Sequence, residues 1–390
     1  MKHQFKIIIV FVYICLCNPF AYSADEKSLT EAIDNLFDNR EGKPGCAVGV
    51  INNGEYIHKK GYGLANLEHN ISIDENSIFR IGSISKQFTA MAIAILEEKG
   101  LLAFDDEMQK HIPDLIDYGE TVTINQMIHH FSGLGDYEDM DYPGRFKNSV
   151  GKEFRWGNED YLTNQEFHAL IKTLPLIRKP ERKFWYSNTG YVLLALVAQN
   201  VSGLSLRELA ERDIFKPLAM NDSFFNDDVN LIVDNRADAY SPIKGQPGQY
   251  SINMTNLSWV GDGGVYTSLN DFIKWDQNFY DNKLGAADRS LIKTMEETYA
   301  ETKVKKRNQK MSSEQENQKT YAFAQNLAYY NGYKRWSHSG SWVGYLAHYT
   351  RFPELSFSTA VFCNTNEIDA TIIADDIVDI FFEMRQESPD

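Results

Sequence analysis

Both ends of the chain carry the apolar and polar patterns of β-strands. Residues 45–51 are almost wholly apolar, a turn sequence containing Asn52 and Gly54 follows, and residues 56–62 run back as a second strand. After residue 320, four further stretches have strand-like patterns, at 321–330, 334–338, 345–352 and 357–363. An amphipathic pattern between residues 372 and 381 predicts a closing helix.

The middle of the chain has the spacing of helices instead. From Ser83 to Leu96 the apolar residues fall on one helical face, and Gly100 ends that segment. Further helical patterns cover residues 123–131, 193–201 and 269–279. The helices therefore fall between the two groups of strands.

These patterns predict an α/β (α+β) fold. We expect residues 24–82 and 290–390 to form a lobe around one antiparallel sheet, built from both chain ends and flanked by helices. Residues 83–289 would form an inserted, mainly helical lobe. Residues 301–320 are almost entirely charged or polar, which predicts a surface loop.

The composition narrows the class of partner. The chain has 390 residues, of which 43% are apolar, enough for a large core. Its formal net charge of -15 argues against nucleic acid or an anionic membrane as the main partner. We expect a small-molecule or peptide substrate, and the oligomeric state stays open.

The N-terminus has the build of a secretory signal. Lys2 and Lys6 precede an apolar run at 7–17, and small residues at Ala21 and Ser23 follow. The run is short for a membrane span, although an uncleaved anchor is the alternative. We predict that residues 1–23 are a signal peptide cleaved near Ser23 or Ala24, and that the mature chain is periplasmic or secreted without a stable membrane span.

Cleavage there would leave two cysteines, Cys46 and Cys363, both in strand-like stretches. They can pair in an oxidising compartment if the end strands are neighbours. Two separate buried thiols is the preferred interpretation, because a sequence does not supply the separation that a disulfide needs.

The first candidate for chemistry is the tetrad from Ser83 to Lys86. On a helix, residues three apart share a face, so the serine hydroxyl and the lysine amine would be neighbours. A serine is a poor nucleophile without a base in hydrogen-bond reach, and a buried lysine can act as that base. A plain N-cap role for Ser83 is the alternative.

Three other S-x-x-K tetrads occur, at Ser149/Lys152, Ser241/Lys244 and Ser290/Lys293. Ser83/Lys86 differs from them because it follows an apolar segment and opens a strongly amphipathic helix. Its context therefore favours it over the others.

Two further motifs complete the candidate site. Tyr186 and Asn188 combine a phenol that can relay a proton with an amide that can bind a substrate amide. The run His338-Ser339-Gly340-Ser341 lies in a strand-like stretch, where Gly340 would give close access to the Ser341 N–H. Taken singly, a buried aromatic residue and a structural histidine are the plain alternatives.

Together the three motifs resemble those of the serine β-lactamase and D-alanyl-D-alanine peptidase superfamily, in its class C-like branch. Ser83/Lys86 matches the S-x-x-K motif, Tyr186/Asn188 the Y-x-N motif, and His338/Gly340 the H-x-G variant of K-T-G. The resemblance covers residues 28–385 and implies the β-lactamase and penicillin-binding-protein fold, with the active site between the lobes.

The resemblance also implies roles. Ser83 would be acylated, Lys86 and Tyr186 would shuttle protons, and Asn188 would bind the substrate amide. The N–H groups of Ser83 and Ser341 would hold the oxyanion, and the 338–341 strand, Ser339 included, would bind substrate. Neither a cofactor nor a metal is implied.

One departure shifts the expected substrate. β-Lactamases of this branch usually carry lysine at the position of His338, and a neutral imidazole is a weaker anchor for a carboxylate. We therefore expect an exported serine hydrolase that acts on a D-amino-acyl peptide, as a D,D-carboxypeptidase or D-aminopeptidase does, or on a small ester. The alternatives are a class C-like β-lactamase and a slow penicillin-binding or sensor protein.

Two other hydrolase classes are disfavoured by missing motifs. The sequence contains no G-x-S-x-G, which an α/β-hydrolase would need. It contains no H-E-x-x-H either, and His129 and His130 would point to different sides of a helix.

Overall fold

A computed structural model of the chain describes residues 19–138, 162–286, 288, 290–299 and 320–387. Most of the predicted signal peptide (residues 1–18) and of the predicted polar loop (residues 301–319) lies outside these ranges, as does the tetrad Ser149/Lys152. Those two predictions, and the assignment of lobe boundaries, stay predictions.

The α-helices are α1 (Pro19–Leu36), α2 (Lys86–Glu98), α3 (Met108–His111), α4 (Ile124–Ile128), α5 (Asn164–Ile171), α6 (Asn188–Ser202), α7 (Leu206–Ala210), α8 (Leu269–Asp281), α9 (Ser290–Met295) and α10 (Ala370–Glu387). Short 3₁₀ turns cover Gly82–Ser85 and Pro353–Leu355, and a π-helical turn at Glu211–Phe215 continues α7.

The strands are β1 (Cys46–Asn52), β2 (Glu55–Tyr62), β3 (Leu64–Asn66), β4 (Ile71–Ser72), β5 (Phe79–Arg80), β6 (Phe224–Phe225), β7 (Tyr240–Pro242), β8 (Tyr250–Ile252), β9 (Val265–Thr267), β10 (Thr320–Tyr321), β11 (Asn326–Tyr330), β12 (Tyr333–Trp342), β13 (Tyr345–Phe352) and β14 (Phe357–Cys363).

One antiparallel sheet joins the two chain ends. Its strand order is β10-β11-β12-β13-β14-β1-β2, so that N-terminal β1 pairs with C-terminal β14. This confirms the predicted fold class. Burial explains the pairing, because β1 and β14 are almost wholly buried and each needs a strand on both edges.

Two predicted strands have different bounds in the structure. The stretch 321–330 is divided into β10 and β11, because Ala322 N–H bonds to Gln325 O at 2.8 Å in a tight turn with Ala324 at φ +57°. The stretch 334–338 extends to Trp342, so Gly340 and Ser341 also belong to β12.

The sheet separates two apolar layers. On one face α1 and α10 cover it, with Leu29, Ile33 and Ile377 in that layer. On the other face the larger core includes Phe88 of α2 and Phe272 of α8. The 3₁₀ turn at Gly82–Ser85 lies on this second face against β12, which is where the candidate site forms.

The preference for two free thiols is wrong, because Cys46 and Cys363 form a disulfide with their sulfur atoms 2.06 Å apart. They are directly opposed in the β1–β14 pair, although 317 positions separate them in sequence. The register of two distant strands decides this pairing, and the pattern within either strand does not contain it.

No single helix in the described ranges is long and apolar enough to cross a membrane. The bent pair Asn188–Ser202 and Leu206–Phe215, at 75° to each other, meets that length and composition only when taken together.

Candidate active site

The Gly82–Ser85 turn places Ser83 at the start of a buried helix. Gly82 has φ +51°, a conformation that favours glycine, and α2 begins at Lys86. Because the turn runs directly into the helix, Ser83 and Lys86 lie on one side of it. Lys86 Nζ is 2.9 Å from Ser83 Oγ, and Lys86 is fully buried.

The other contacts of Lys86 define what its amine can do. Nζ lies 2.7 Å from Asn188 Oδ1 and 2.7 Å from the Asp262 carbonyl oxygen. Both atoms can only accept hydrogen bonds, whereas the Ser83 hydroxyl can donate. Two N–H bonds of Nζ therefore satisfy these two acceptors, and the third position on the nitrogen is directed at Ser83 Oγ. This is the geometry of a serine and its general base.

Tyr186 and Asn188 lie at the N-terminus of α6. The Ser187 hydroxyl caps this helix by accepting from Gly190 N–H at 3.1 Å, which aims Asn188 at Lys86. The Tyr186 ring centre is 4.9 Å from Lys86 Nζ. The structure thus brings the S-x-x-K and Y-x-N residues together around one amine.

A close approach of two backbones forms the other wall. A β-carbon on Gly340 would come 2.0 Å from the Ile81 carbonyl oxygen and 3.2 Å from Ser83 N, and one on Gly82 would come 2.5 Å from Ser341 N. Glycine at both positions lets β12 lie against the serine turn. The N–H groups of Ser83 and Ser341 therefore border the same slot, as two oxyanion donors would.

These groups open into a cleft of about 460 Å³. Its described lining residues are Gly82, Ser83, Asp136, Glu138, Tyr186, Asn188, Asp262, Gly263, Ser341, Trp342 and Val343. The cleft is large enough for a small amide, peptide end or ester.

His338 lies beside the cleft and is not one of its lining residues. It is 4% exposed, with Nδ1 2.6 Å from Ser339 O and Nε2 3.0 Å from Tyr321 Oη. A carbonyl only accepts, so Nδ1 carries the proton and Nε2 accepts from the Tyr321 hydroxyl. Burial, followed by repulsion from Lys86, lowers the pKa of His338 to about 3. The imidazole is therefore neutral, and both of its nitrogens already have hydrogen-bond partners. The structure gives no support to the predicted contact between His338 and substrate.

Ser339 and Ser341 lie on the opposite side of β12 from His338, following the alternation of a strand, and both are exposed. Ser341 lines the cleft and Ser339 is absent from the described lining. Trp342 also borders the cleft and stacks on the buried Arg80 guanidinium, whose carbon is 4.7 Å from the indole centre.

Three acidic residues of the cleft were not singled out in the sequence. Burial raises the pKa of Asp136 and of Asp262. Glu138 is exposed at the cleft rim. Partial removal of its carboxyl from water, followed by repulsion from Asp136 and Asp262, raises its pKa to about 7. The described part of the cleft therefore has an acidic lining, without lysine, arginine or histidine.

Asp262 helps to hold Lys86 in place through a hydrogen bond. Its carbonyl accepts from Nζ, and its carboxylate accepts from the hydroxyl of Tyr137, which lies 3.2 Å from Trp259 Nε1. Glycines at 261, 263 and 264 surround Asp262 in the sequence, but nothing there indicates the direction of its carbonyl. His130, behind Tyr186, was likewise missed as a site residue.

Within the described ranges, histidine, cysteine, aspartate and glutamate form no group of three or more that could hold a metal ion.

A family model described as Beta-lactamase matches residues 33–379. Among curated proteins, penicillin-binding protein 4* of Bacillus subtilis is 28% identical over 241 residues, which are 58% of this chain and 50% of that protein. A D-aminopeptidase of Gluconobacter oxydans is 27% identical over 259 residues, 66% of this chain and 46% of that protein. The chain thus spans only about half of each relative's length.

Among solved structures, the octameric penicillin-binding protein homologue of Pyrococcus abyssi aligns with a TM-score of 0.73 at 26% identity. The alignment covers 93% of this chain and 77% of that one. The similarity therefore extends over almost the whole chain.

Proposed function

Because the chain belongs to the Beta-lactamase family, we propose that it is a serine hydrolase that forms an acyl-enzyme on Ser83 and acts on D-amino-acyl amides, peptides or esters. The family match confirms the resemblance drawn from the three motifs. The activity and the substrate are the proposed part.

The contact between Lys86 Nζ and Ser83 Oγ, at 2.9 Å, carries the proposal. As Oγ attacks the substrate carbonyl carbon, its proton passes to the Lys86 lone pair, and the oxyanion lies between the Ser83 and Ser341 N–H groups. The proton then reaches the leaving nitrogen or oxygen through Tyr186 as the bond to the carbonyl carbon breaks. Water releases the acyl group by the same steps in reverse.

The acidic lining supports a substrate with a free amine. Asp136, Glu138 and Asp262 would repel the carboxylate of a β-lactam or of a peptide C-terminus and attract an ammonium group. His338, neutral and already bonded, offers such a carboxylate no cation. A D-aminopeptidase of Gluconobacter oxydans is among the relatives, which favours a D-amino-acyl group at the acylating position.

The test is a set of substrates that differ in charge. We expect D-alanine p-nitroanilide, with a free amine, to exceed its N-acetyl derivative by about tenfold in kcat/KM, as one charge-assisted hydrogen bond would give. An acyl-D-Ala-D-Ala peptide and a chromogenic cephalosporin should be slower than both. Preference for the cephalosporin would favour the β-lactamase alternative, and a stable adduct without turnover would favour the sensor alternative.

Export to the periplasm or the medium belongs to the same proposal. The disulfide between Cys46 and Cys363 supports it, since such bonds persist in oxidising compartments. N-terminal sequencing should show that the secreted chain starts near Ser23 or Ala24. A secreted chain that still starts at Met1 would contradict cleavage.

A further inference from the structure

His130 lies directly behind the turn that presents Tyr186 and Asn188. It is fully buried and has φ +62°, an uncommon conformation for a residue other than glycine. Its ring centre is 4.3 Å from that of Tyr186. Such a conformation persists only where surrounding contacts hold it, and it often marks a functional site.

One residue holds the backbone on both sides of Tyr186. The His130 carbonyl accepts from Trp185 N–H at 2.8 Å, and His130 Nδ1 accepts from Ser187 N–H at 3.1 Å. The two N–H groups that flank Tyr186 therefore end on two acceptors of the same histidine. A shift of this histidine would move both.

The residues that follow His130 extend the attachment along the turn. Gly135 O accepts from the Ser187 hydroxyl at 3.1 Å, and Asp136 Oδ2 accepts from Asn188 N–H at 2.8 Å. Tyr137 N–H donates to Thr189 Oγ1 at 2.9 Å. Trp185, Ser187, Asn188 and Thr189 are thus each bonded to the segment 130–137.

This attachment controls the surroundings of Lys86. Asn188 Oδ1 is one of the acceptors of its amine, at 2.7 Å, and the Tyr186 ring lies 4.9 Å from Nζ. Movement of the turn by about 1 Å would misplace the proton relay and the lysine together, and displacements of that size can cost about 100-fold in rate.

We propose that His130 is a positioning residue for the acylation of Ser83, which fixes Tyr186 and Asn188 around Lys86 through its two acceptors. The proposal rests on the function proposed above. It requires Nδ1 to stay unprotonated, with the ring proton on Nε2. Burial, followed by repulsion from Lys86, lowers the pKa of His130, which keeps the ring in this form.

Two substitutions separate positioning from packing. His130→Asn offers a side-chain oxygen near the place of Nδ1 and tolerates positive φ, whereas His130→Leu fills the space without an acceptor. His348→Leu, which removes another buried histidine under α10, is the control for lost stability. Stopped-flow kinetics with p-nitrophenyl acetate give the acylation rate constant and KM separately.

We expect His130→Leu to lower the acylation rate constant by about 100-fold, with KM within about twofold of the wild type. His130→Asn should recover most of the rate, and His348→Leu should lower the melting temperature without this loss of rate. Wild-type acylation in His130→Leu, or an equal loss in a folded His130→Asn, would overturn the proposal.

A second pair covers the case in which His130→Leu does not fold. Asp136→Asn keeps an acceptor for Asn188 N–H, whereas Asp136→Ala removes it. A slower acylation in Asp136→Ala than in Asp136→Asn supports positioning by the 130–137 segment, and equal rates overturn it. A wild-type protein that is never acylated on Ser83 would overturn the proposed function and this inference with it.

Discussion

The backbone of Gly340 in β12 lies so close to that of Ile81 that a β-carbon on Gly340 would come 2.0 Å from the Ile81 carbonyl oxygen. This approach sets the distance between the strand that carries Ser341 and the turn that carries Ser83. A glycine in the H-x-G motif is therefore a geometric requirement of the slot between the two N–H groups.

Gly340→Ala should move the two walls of that slot apart. The methyl group forces β12 away from the serine turn, so we expect acylation to fall by about 100-fold or more as one oxyanion donor is lost. Overpacking should also lower the free energy of unfolding by about 1–3 kcal/mol. Acylation kinetics and urea unfolding check the two effects.

Gly332→Ala provides the control for that experiment. Gly332 lies in the β11–β12 turn with φ +84° and open space around its α-carbon, so alanine there adds backbone strain without a clash. Its acylation rate should stay at the wild-type value. An active, folded Gly340→Ala would contradict the proposed slot.

Glu138→Gln tests whether the cleft selects amines. The pKa of Glu138 is raised to about 7, so its carboxylate forms as the pH rises through that value. KM for an amine-bearing substrate should therefore decrease from about pH 6 to about pH 7.5 in the wild type, a range in which an α-amine, with a pKa of about 7.7–8.0, is still largely charged. In Glu138→Gln this decrease should be absent and KM at pH 7.5 should be about fivefold higher.

An N-acetylated substrate distinguishes charge from shape. Its KM should be the same in the wild type and in Glu138→Gln at every pH. Glu354→Gln, at an exposed position in the 3₁₀ turn before β14, controls for loss of one negative charge. Equal effects of Glu138→Gln on both substrates would exclude recognition of the amine by this carboxylate.

His348→Gln should flatten the dependence of stability on pH. Burial, followed by the charge of Arg335, lowers the pKa of His348 to about 3, while in the unfolded chain it is about 6.5. Between these values the unfolded state binds a proton that the native state does not, so the free energy of unfolding decreases as the pH falls. The substitution should remove about 1.4 kcal/mol per pH unit from that slope.

Urea unfolding at several pH values between about 4 and 6 measures the slope. His69→Gln, at an exposed position, is the control for replacing histidine by glutamine. A slope unchanged by His348→Gln would show that this histidine is protonated in the native state as readily as in the unfolded chain.

Removing the disulfide should destabilise the protein without slowing its chemistry. The Cys46–Cys363 bond closes a loop of 317 positions, and replacing both cysteines by alanine should lower the free energy of unfolding by about 2–5 kcal/mol. Because both residues lie in the layer between the sheet and helices α1 and α10, acylation at 25 °C should be unaffected. A lower acylation rate in the double alanine variant than in the wild type would contradict this expectation and show that packing in this layer affects the site.

The fold and the motif residues could be predicted because their signals are local. Ser83 and Lys86 are three residues apart on one turn, and the strand-like stretches 345–352 and 357–363 correspond to β13 and β14 with their observed bounds. The helix that presents Asn188 was also indicated by its apolar pattern, although α6 begins five residues before the predicted stretch.

The supporting residues could not be predicted, because their roles depend on contacts between distant segments. His130 reaches Ser187 across 57 positions, and the Asp262 carbonyl reaches Lys86 across 176. The disulfide depends on the register of β1 against β14. Likewise, only the packing of Tyr321 beside β12 shows that the imidazole of His338 is already bonded.

The most direct test of the account is the mass of the protein after brief reaction with p-nitrophenyl acetate and acid quenching. The wild type should carry one acetyl group, located on Ser83 by peptide mapping. Ser83→Ala should carry none, and neither should Lys86→Arg, whose guanidinium cannot accept the serine proton. An adduct on another residue, or acetylation of Ser83 in Lys86→Arg at the wild-type rate, would contradict the assignment of Ser83 as nucleophile and Lys86 as its base.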